Sequence, residues 1–415
     1  SFDYISDENV EVGCRVVVPF GNKKLIGFVV GIKQKQEMSL KKIVKIVDKV
    51  PLVNEELLKL ANWISNYYLC SVGVALNAVL PSANKIPAKK TDTTNQSYSS
   101  SSQTSIVPTT EQQNIIDKIC SAIGTPNQKT FLLFGQNDSG KTEVYIRAIE
   151  VCLKNNYSAI YLVPDISLTS QFGELLNSNF GSVVGVWHSG LSQKEKNQFL
   201  LRLVSGEIRV VLGSRSAVFL PVHNPKLFII DEEDDDFYKN NRSPKYHTRD
   251  VAIERAKITN SVVVLGSATP SVETYHKTKT GEIEILKLTE RINKRPLPKI
   301  SVINLKYINP VSWRAITKPL KYAMTNALLQ KKQVFLFVRR RGMATTIKCA
   351  ICGNIIKCPK CSVPLVAHKN PTQLLCHYCG YRQGFVTKCS ICEGNMIYIG
   401  YGTEKIEEII KKIFP

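Results

Sequence analysis

Phe131-Leu-Leu-Phe134, followed at once by Gly135-Gln-Asn-Asp-Ser-Gly140-Lys141-Thr142, decides the fold of this chain. Four apolar residues run into a G-x-x-x-x-G-K-T pattern, and Glu143–Lys154 beyond it carries helical apolar spacing. A strand, a glycine loop and a helix in that order set backbone N–H groups and a helix N-terminus around a phosphate. Lys141 would reach the β- and γ-phosphates and Thr142 would hold Mg2+, with Gly135, Ser139 and Gly140 in the nest. Asp138 is the awkward member: a carboxylate in a phosphate nest should point outward.

Outward from this loop, Ala159–Val163, Arg209–Leu212, Leu227–Ile230 and Val262–Leu265 are solidly apolar rather than alternating. Strands buried on both faces read that way, so residues 109–300 are expected to form a parallel α/β sheet. Leu227-Phe-Ile-Ile ends in Asp231-Glu232-Glu233-Asp234. Asp231 would bind Mg2+ through water and Glu232 would polarise the attacking water. Gly266-Ser267-Ala268-Thr269-Pro270 follows the next strand, and the hydroxyls of Ser267 and Thr269 could sense the γ-phosphate. Gln112, just ahead of the first helix of the unit, could read the adenine edge. Phe237, Tyr238, Tyr246 and His247 lie among Lys239, Arg242, Lys245 and Arg249, a mixture suited to base stacking and phosphate contact. Trp187 reads as ordinary packing.

Residues 1–81 are expected to be a small separate unit: Val16–Val18 and Gly27–Ile32 as short strands, then a helix over 54–69 capped by Asn54. Residues 82–108, with seven serines and little that could form a core, read as a flexible linker. A second α/β unit is expected over 301–348, with a strand at Val334–Val338, continuing at 393–415. The first residue is Ser1 rather than Met, so the sequence is expected to begin inside a longer reading frame.

Eight of the twelve cysteines fall between Cys349 and Cys392 as four C-x-x-C pairs: Cys349/Cys352, Cys358/Cys361, Cys376/Cys379 and Cys389/Cys392. Each pair offers two thiolates, so eight make two closed four-cysteine zinc sites of structural type, with iron–sulfur clusters or redox dithiols as the alternatives. His368 and His377 stand nearby, but eight cysteines already suffice. Between Lys331 and Cys392 there are 11 Lys or Arg residues and no Asp or Glu. Over the whole chain 55 basic residues face 34 acidic ones, a net charge of +21 that favours a nucleic-acid partner. Ordinary apolar content excludes wholesale disorder, and no apolar run is long enough for a membrane helix.

The order of the pieces is itself informative. Gly135–Thr142, Leu162–Gln171, Gly213-Ser-Arg-Ser216, Asp231–Asp234 and Gly266–Pro270 resemble superfamily 2 helicases. The eight-cysteine insertion after Arg339-Arg-Arg-Gly342, with Gly400-Tyr-Gly-Thr-Glu404 beyond it, is similar to the PriA (primosomal protein N′) family. The resemblance implies a RecA-like helicase lobe, a β-rich N-terminal DNA-binding domain and a two-zinc insertion in a partial second lobe. It implies an ATP-dependent 3′→5′ DNA helicase that recognises stalled or branched forks and starts primosome assembly, with ATP, Mg2+ and two Zn2+ as cofactors. Phe2, Asp3, Tyr4, Gly21 and Lys41 match the family's pocket for a 3′-OH end, with Asp3 on the hydroxyl. Asp231–Arg242, including Phe237, Tyr238 and Arg242, matches a loop coupling DNA to hydrolysis. The implied pairing puts Cys349, Cys352, Cys389 and Cys392 on one zinc and Cys358, Cys361, Cys376 and Cys379 on the other. Implied partners are forked and single-stranded DNA, primosome proteins and single-stranded DNA-binding protein, in a bacterial, nucleoid-associated cytoplasmic setting with no membrane. Three departures stand out: Asp234 replaces a usual His, residues 82–108 stand where a winged helix is expected, and the sequence reaches Pro415 before the point where the later helicase motifs are expected. The alternative reading is a catalytically weak, zinc-stabilised protein that binds forks or 3′ ends.

Overall fold

The computed structural model describes residues 2–33, 40–48, 51–79, 107–164, 166–292, 298–304, 316–338, 346–360, 362–368, 372–377, 379–399 and 403–414. Nearly all of the expected linker, the arginine stretch 339–342, Cys361 and residues 400–402 of the glycine–tyrosine motif lie outside the described residues. The chain divides into two compact units, Ser1–Leu297 and Pro298–Pro415.

The first unit opens with a three-stranded antiparallel sheet, β1 (Arg15–Phe20), β2 (Lys23–Phe28) and β3 (Lys45–Ile46), in the order β2-β1-β3. Helices α1 (Glu55–Tyr67) and α2 (Val72–Val79) follow. Asn54 caps α1 by accepting the Leu57 amide at 2.9 Å, as its position ahead of the apolar run suggests. From Thr110 onward strands and helices alternate: α3 (Thr110–Ala122), β4 (Lys129–Gly135), α4 (Lys141–Lys154), β5 (Ser158–Leu162), α5 (Ile166–Phe180), β6 (Val184–Trp187), α6 (Gln193–Val204) and β7 (Val210–Gly213). Then come β8 (Pro225–Ile230), α7 (Thr248–Thr259), β9 (Val262–Ser267), α8 (Val272–Thr280) and β10 (Glu284–Leu288). The seven strands β4–β10 form one parallel sheet in the order β10-β4-β9-β8-β5-β7-β6. All five expected strands are there, and the two edges, β6 and β10, add to them.

Successive residues of the central strands go to opposite faces of the sheet. Leu132, Ile160, Phe228, Ile230 and Val263 enter one core, and Phe131, Ala159, Tyr161, Leu227 and Val264 enter the other. The first core is not confined to the sheet. Leu57, Leu60 and Ile64 of α1 and Val79 of α2 are buried in it, so these two helices share the apolar interior of the parallel sheet. Arg255 of α7 pins this junction. Fully buried, it pairs with Glu56 of α1, donates from Nη1 to the Val218 carbonyl at 2.6 Å, and lies 5.5 Å from the Phe228 ring centroid.

The second unit holds α9 (Lys318–Leu329), capped by Thr317, and a small β-rich module. Its strands are β11 (Thr346–Cys349), β12 (Val366–His368), β13 (Gln373–Leu375), β14 (Arg382–Gln383) and β15 (Met396–Ile399), and α10 (Thr403–Ile413) closes it. β11 pairs with β15, and β12, β13 and β14 form a second small sheet. The strand expected at Val334–Val338 is not formed, and Phe335 and Phe337 are 91% and 82% exposed. Apolar residues favour a strand only where a neighbouring strand satisfies the backbone, and among the described residues none pairs with this segment.

Removing one partner of a buried ion pair leaves the other charge desolvated and unmatched. Glu56→Ala is therefore expected to cost about 3 kcal/mol of stability, and Glu56→Gln, which keeps an acceptor, less. Denaturant unfolding of the intact chain followed by far-ultraviolet circular dichroism measures both.

Candidate nucleotide site and cysteine clusters

Strand order brings the chemistry together. β4, β9 and β8 are neighbours in the sheet, so the segments leaving their C-terminal ends, at Gly135, Ser267 and Asp231, lie side by side. Ligands of open parallel sheets sit at that edge. A cleft there is lined by Gln136–Thr142, Phe172, Asp231, Glu232 and Ile292.

The glycine loop is closed and tightly packed. Lys141 is buried, and its ammonium donates to the Gly135 carbonyl at 2.9 Å. Gly140, at φ +82°, begins α4, and a Cβ there would lie 2.1 Å from Gln112 Nε2. Gln112 itself is tied on both sides: its Oε1 accepts the Thr109 amide at 2.9 Å and its Nε2 donates to the Ser139 carbonyl at 3.0 Å. Gln112 is itself buried. Asp138 does point outward, 60% exposed and paired with Arg291 at 3.0 Å. Ser139 Oγ is buried and without a partner, the kind of donor a phosphate oxygen would satisfy.

Asp231 is the most constrained residue of the site. Tyr145 donates to its Oδ1 at 3.1 Å, Tyr161 to its Oδ2 at 3.4 Å, and the Glu232 amide to Oδ1 at 3.2 Å. Burial pushes its carboxyl above the usual range, while the nearby Lys141 pulls it down. Burial also raises Glu232, and the Asp231 charge adds to it; Glu232 sits at φ +49°, in the left-handed region. Gly266 packs against this group: a Cβ would fall 1.7 Å from the Tyr145 hydroxyl. Gly266 thus leaves room for Tyr145.

Several expected roles shift. The hydroxyls of Ser267 and Thr269 go to Asp234, at 2.5 and 3.0 Å, and the Thr269 amide donates to Ser267 Oγ at 2.8 Å. They bind the strand β8 exit to the strand β9 exit. Tyr238, expected to contact DNA, is fully buried; its hydroxyl donates to the Asp231 carbonyl at 2.7 Å, with the Leu162 carbonyl 3.1 Å away as an alternative acceptor for the same proton. An aromatic ring carrying a hydroxyl can serve a core as well as a surface once backbone acceptors are in reach. Tyr246 is likewise buried, edge-on to Phe219, and Arg249 is held by Glu233 at 3.0 Å. Phe237 and Arg242 remain exposed, with the Arg215 guanidinium 5.2 Å from the Phe237 centroid. Trp187 is buried, as expected.

Sequence reading missed Glu233. It is fully buried, accepts from Arg249, and also receives the Ser271 amide at 2.8 Å and the Thr274 hydroxyl at 2.9 Å. The acidic run offered no sign that its third member turns inward.

At the N-terminus, Phe2 meets Phe20 edge-on at 5.1 Å and Tyr4 donates to the Pro19 carbonyl at 3.1 Å. The Ile5 amide donates to the Lys41 carbonyl at 3.0 Å, and Gly21 turns at φ +54°. The five expected 3′-end residues thus lie on adjoining segments, with Asp3 exposed.

The four C-x-x-C segments are each followed by the same closing hydrogen bond. The amides of Gly353, Ser362, Gly380 and Glu393 donate to the carbonyls of Cys349, Cys358, Cys376 and Cys389 at 3.2, 2.9, 2.9 and 3.0 Å. All four of those residues have positive φ, between +55° and +77°. The thiol sulfurs of Cys349, Cys352, Cys389 and Cys392 lie within 4.8 Å of one another, as do those of Cys358, Cys376 and Cys379. Soft thiolates gathered in such knuckles suit Zn2+. His368 and His377 face each other, Nε2 to Nε2, at 3.0 Å.

Comparison with known proteins agrees with these parts. Residues 1–81 match the 3′ DNA-binding domain of PriA, 109–278 match DEAD/DEAH box helicases, and 358–383 match the Cys-rich region domain of the PriA DNA helicase. Replication restart protein PriA of Treponema pallidum is 36% identical over 420 residues, 97% of this chain and 61% of that protein. The Chlamydia pneumoniae protein of the same name is 42% identical over 311 residues, covering 74% of this chain and 42% of the relative. The Rickettsia conorii protein is 34% identical over 422 residues, all of this chain and 63% of the relative. The chain thus spans at most about three fifths of these relatives. Fold and site define a P-loop lobe of the DEAD/DEAH helicase class, joined to a Cys-rich zinc ribbon. Over nearly its whole length the chain is similar to the PriA proteins.

Gly266→Ala should weaken ATP binding at least tenfold, with Tyr145→Phe in the same chain restoring part of it; calorimetric titration with ATP and Mg2+ reads both. Metal analysis by mass spectrometry should find two zinc ions per chain, and one in Cys389→Ser.

Proposed function

We propose that this chain is the fork-recognising, ATP-driven portion of a replication-restart DNA helicase that moves 3′→5′ and starts primosome assembly. The observation that carries the reading is the shared core: helices of the region similar to a 3′ DNA-binding domain lie in one apolar cluster with the sheet that holds the glycine loop. In this reading residues 1–81 bind the nascent 3′ end and 109–300 form the first motor lobe. Residues 301–348 and 393–415 belong to a second lobe, and 349–392 to a two-zinc module.

Each residue then has a task. Lys141 leaves the Gly135 carbonyl for the β- and γ-phosphates, while Ser139, Gly140 and the first amides of α4 cradle them. Thr142 and Asp231 hold Mg2+, and Glu232 aligns the attacking water and takes its proton. A carboxyl raised by burial is the better base for that step. Gln112 meets the adenine, and Asp234 carries the state of the site to Ser267 and Thr269. Asp3 accepts the 3′-hydroxyl, with Phe2 and Tyr4 beside the base and Gly21 and Lys41 at the phosphate. Phe237 and Arg242 touch the strand. Cys361 supplies the fourth thiolate of the inner zinc. Forked and single-stranded DNA are the partners, and by resemblance primosome proteins and single-stranded DNA-binding protein join them. The setting is a bacterial cytoplasm, near the nucleoid. No described helix is long and apolar enough to cross a membrane.

The deciding experiment is ATP hydrolysis by this chain with and without a forked DNA bearing a leading-strand 3′ end. DNA-stimulated phosphate release that disappears in Lys141→Ala, with zinc retained, supports the reading; release unchanged by the fork or by the substitution refutes it. Asp3→Ala should weaken binding to forks with a 3′-OH at the junction and spare forks with a gap there, as read by fluorescence anisotropy.

A further inference from the structure

Helix α1 carries Lys59, Trp63 and Tyr67 at successive four-residue steps, one row along the helix. Trp63 and Tyr67 are stacked, with centroids 4.8 Å apart and planes 15° from parallel. Tyr68 meets both edge-on, at 5.9 and 4.9 Å. Tyr67 nonetheless stays 60% exposed, so the stack is not closed off by the core beneath it. Leu69 follows at φ +50° and 92% exposure, where a glycine or asparagine would relieve the backbone and no burial repays the leucine. Strain held at an exposed apolar residue points to a surface that something covers.

The surroundings say what covers it. The Tyr68 hydroxyl reaches beyond its own domain and accepts the His247 amide at 3.0 Å, and the Lys239 ammonium sits 5.6 Å from its ring centroid. The aromatic row therefore runs directly into the segment 235–247, which carries exposed Arg242 and Lys245 and the exposed ring of Phe237. At the other end stands Lys59, 60% exposed, sharing its charge with Glu55 at 2.8 Å across solvent. Flat rings open on a face, with cations at both ends and a net +21 chain behind them, match one ligand class. A single-stranded polynucleotide offers stacking bases and a backbone of phosphates at that spacing.

We propose that Trp63, Tyr67 and Tyr68 form a stacking platform for single-stranded DNA, separate from the 3′-end pocket and continuous with Phe237–His247. The platform rests on the DNA-binding reading above, but it needs no free 3′-hydroxyl. A strand lying across it bridges the N-terminal domain and the segment anchored under Asp231 by Tyr238.

The test uses the full chain and a fluorescent oligothymidylate whose 3′ end is blocked by phosphate, which removes the pocket's hydroxyl. Tyr67→Ala should lower affinity about 5- to 100-fold, the range for losing one stacked base. Tyr67→Phe, which keeps the ring, should bind like the parent, and circular dichroism and zinc content should be unchanged in both. Equal affinity of Tyr67→Ala and the parent overturns the platform, and so does an equal loss in Tyr67→Phe. Failure of the parent chain to bind any DNA would instead overturn the function proposed above.

Discussion

A carboxylate held almost out of water is the constraint on which this architecture turns. Asp231 leaves the end of β8 with two tyrosine hydroxyls on its oxygens and a third, from Tyr238, on its carbonyl. An ion so placed is costly unless its lone pairs are met, and the structure meets them with side chains from α4, β5 and the segment after β8. Gly266 must lack a side chain because Tyr145 occupies the space, and Tyr238 must be inside rather than outside because Asp231 and Leu162 need its hydroxyl. The glycine loop then lies beside this group because β4, β9 and β8 are neighbours in the sheet.

The acidic run divides its labour by where each residue points. Asp231 and Glu232 face the cleft, Glu233 turns inward to Arg249 and α8, and Asp234 takes the hydroxyls of Ser267 and Thr269. Four consecutive residues thus join the nucleotide cleft, the helix α7, the helix α8 and the exit of β9. The Asp at 234, which can only accept when ionised, suits two hydroxyl donors. The adjoining N-terminal helices enter the same arrangement through Arg255 and Glu56, and through Tyr68 on His247.

Much of this was legible in the residues. The G-x-x-x-x-G-K-T run, five buried strands and the cysteine spacing each follow from a local pattern whose physical cause is local: phosphate geometry, two-faced burial, tetrahedral thiolates. Edge strands β6 and β10 escaped because they are short or polar, as at Lys287, and their pairing is set by distant residues. Tyr238, Tyr246 and Arg249 were misplaced for the same reason. Aromatic and basic residues in one stretch are what a DNA surface needs, and also what a buried carboxylate network needs. Only the position of Asp231, Glu233 and Phe219 in space separates the two. Val334–Val338 failed in the opposite sense, its composition right and its partner strand lacking among the described residues.

The cysteine knuckles are nested, and nesting imposes an order. Cys352 and Cys389 are 37 residues apart, and Cys358 and Cys379, 21 apart, lie wholly between them. Closing a loop costs entropy that grows with the logarithm of its length, so the inner cluster is the easier to assemble first. Once it is closed, the span left for the outer cluster is shortened to the few residues on either side, and its entropy falls accordingly. Loop entropy alone therefore favours gathering the inner cysteines before the outer ones.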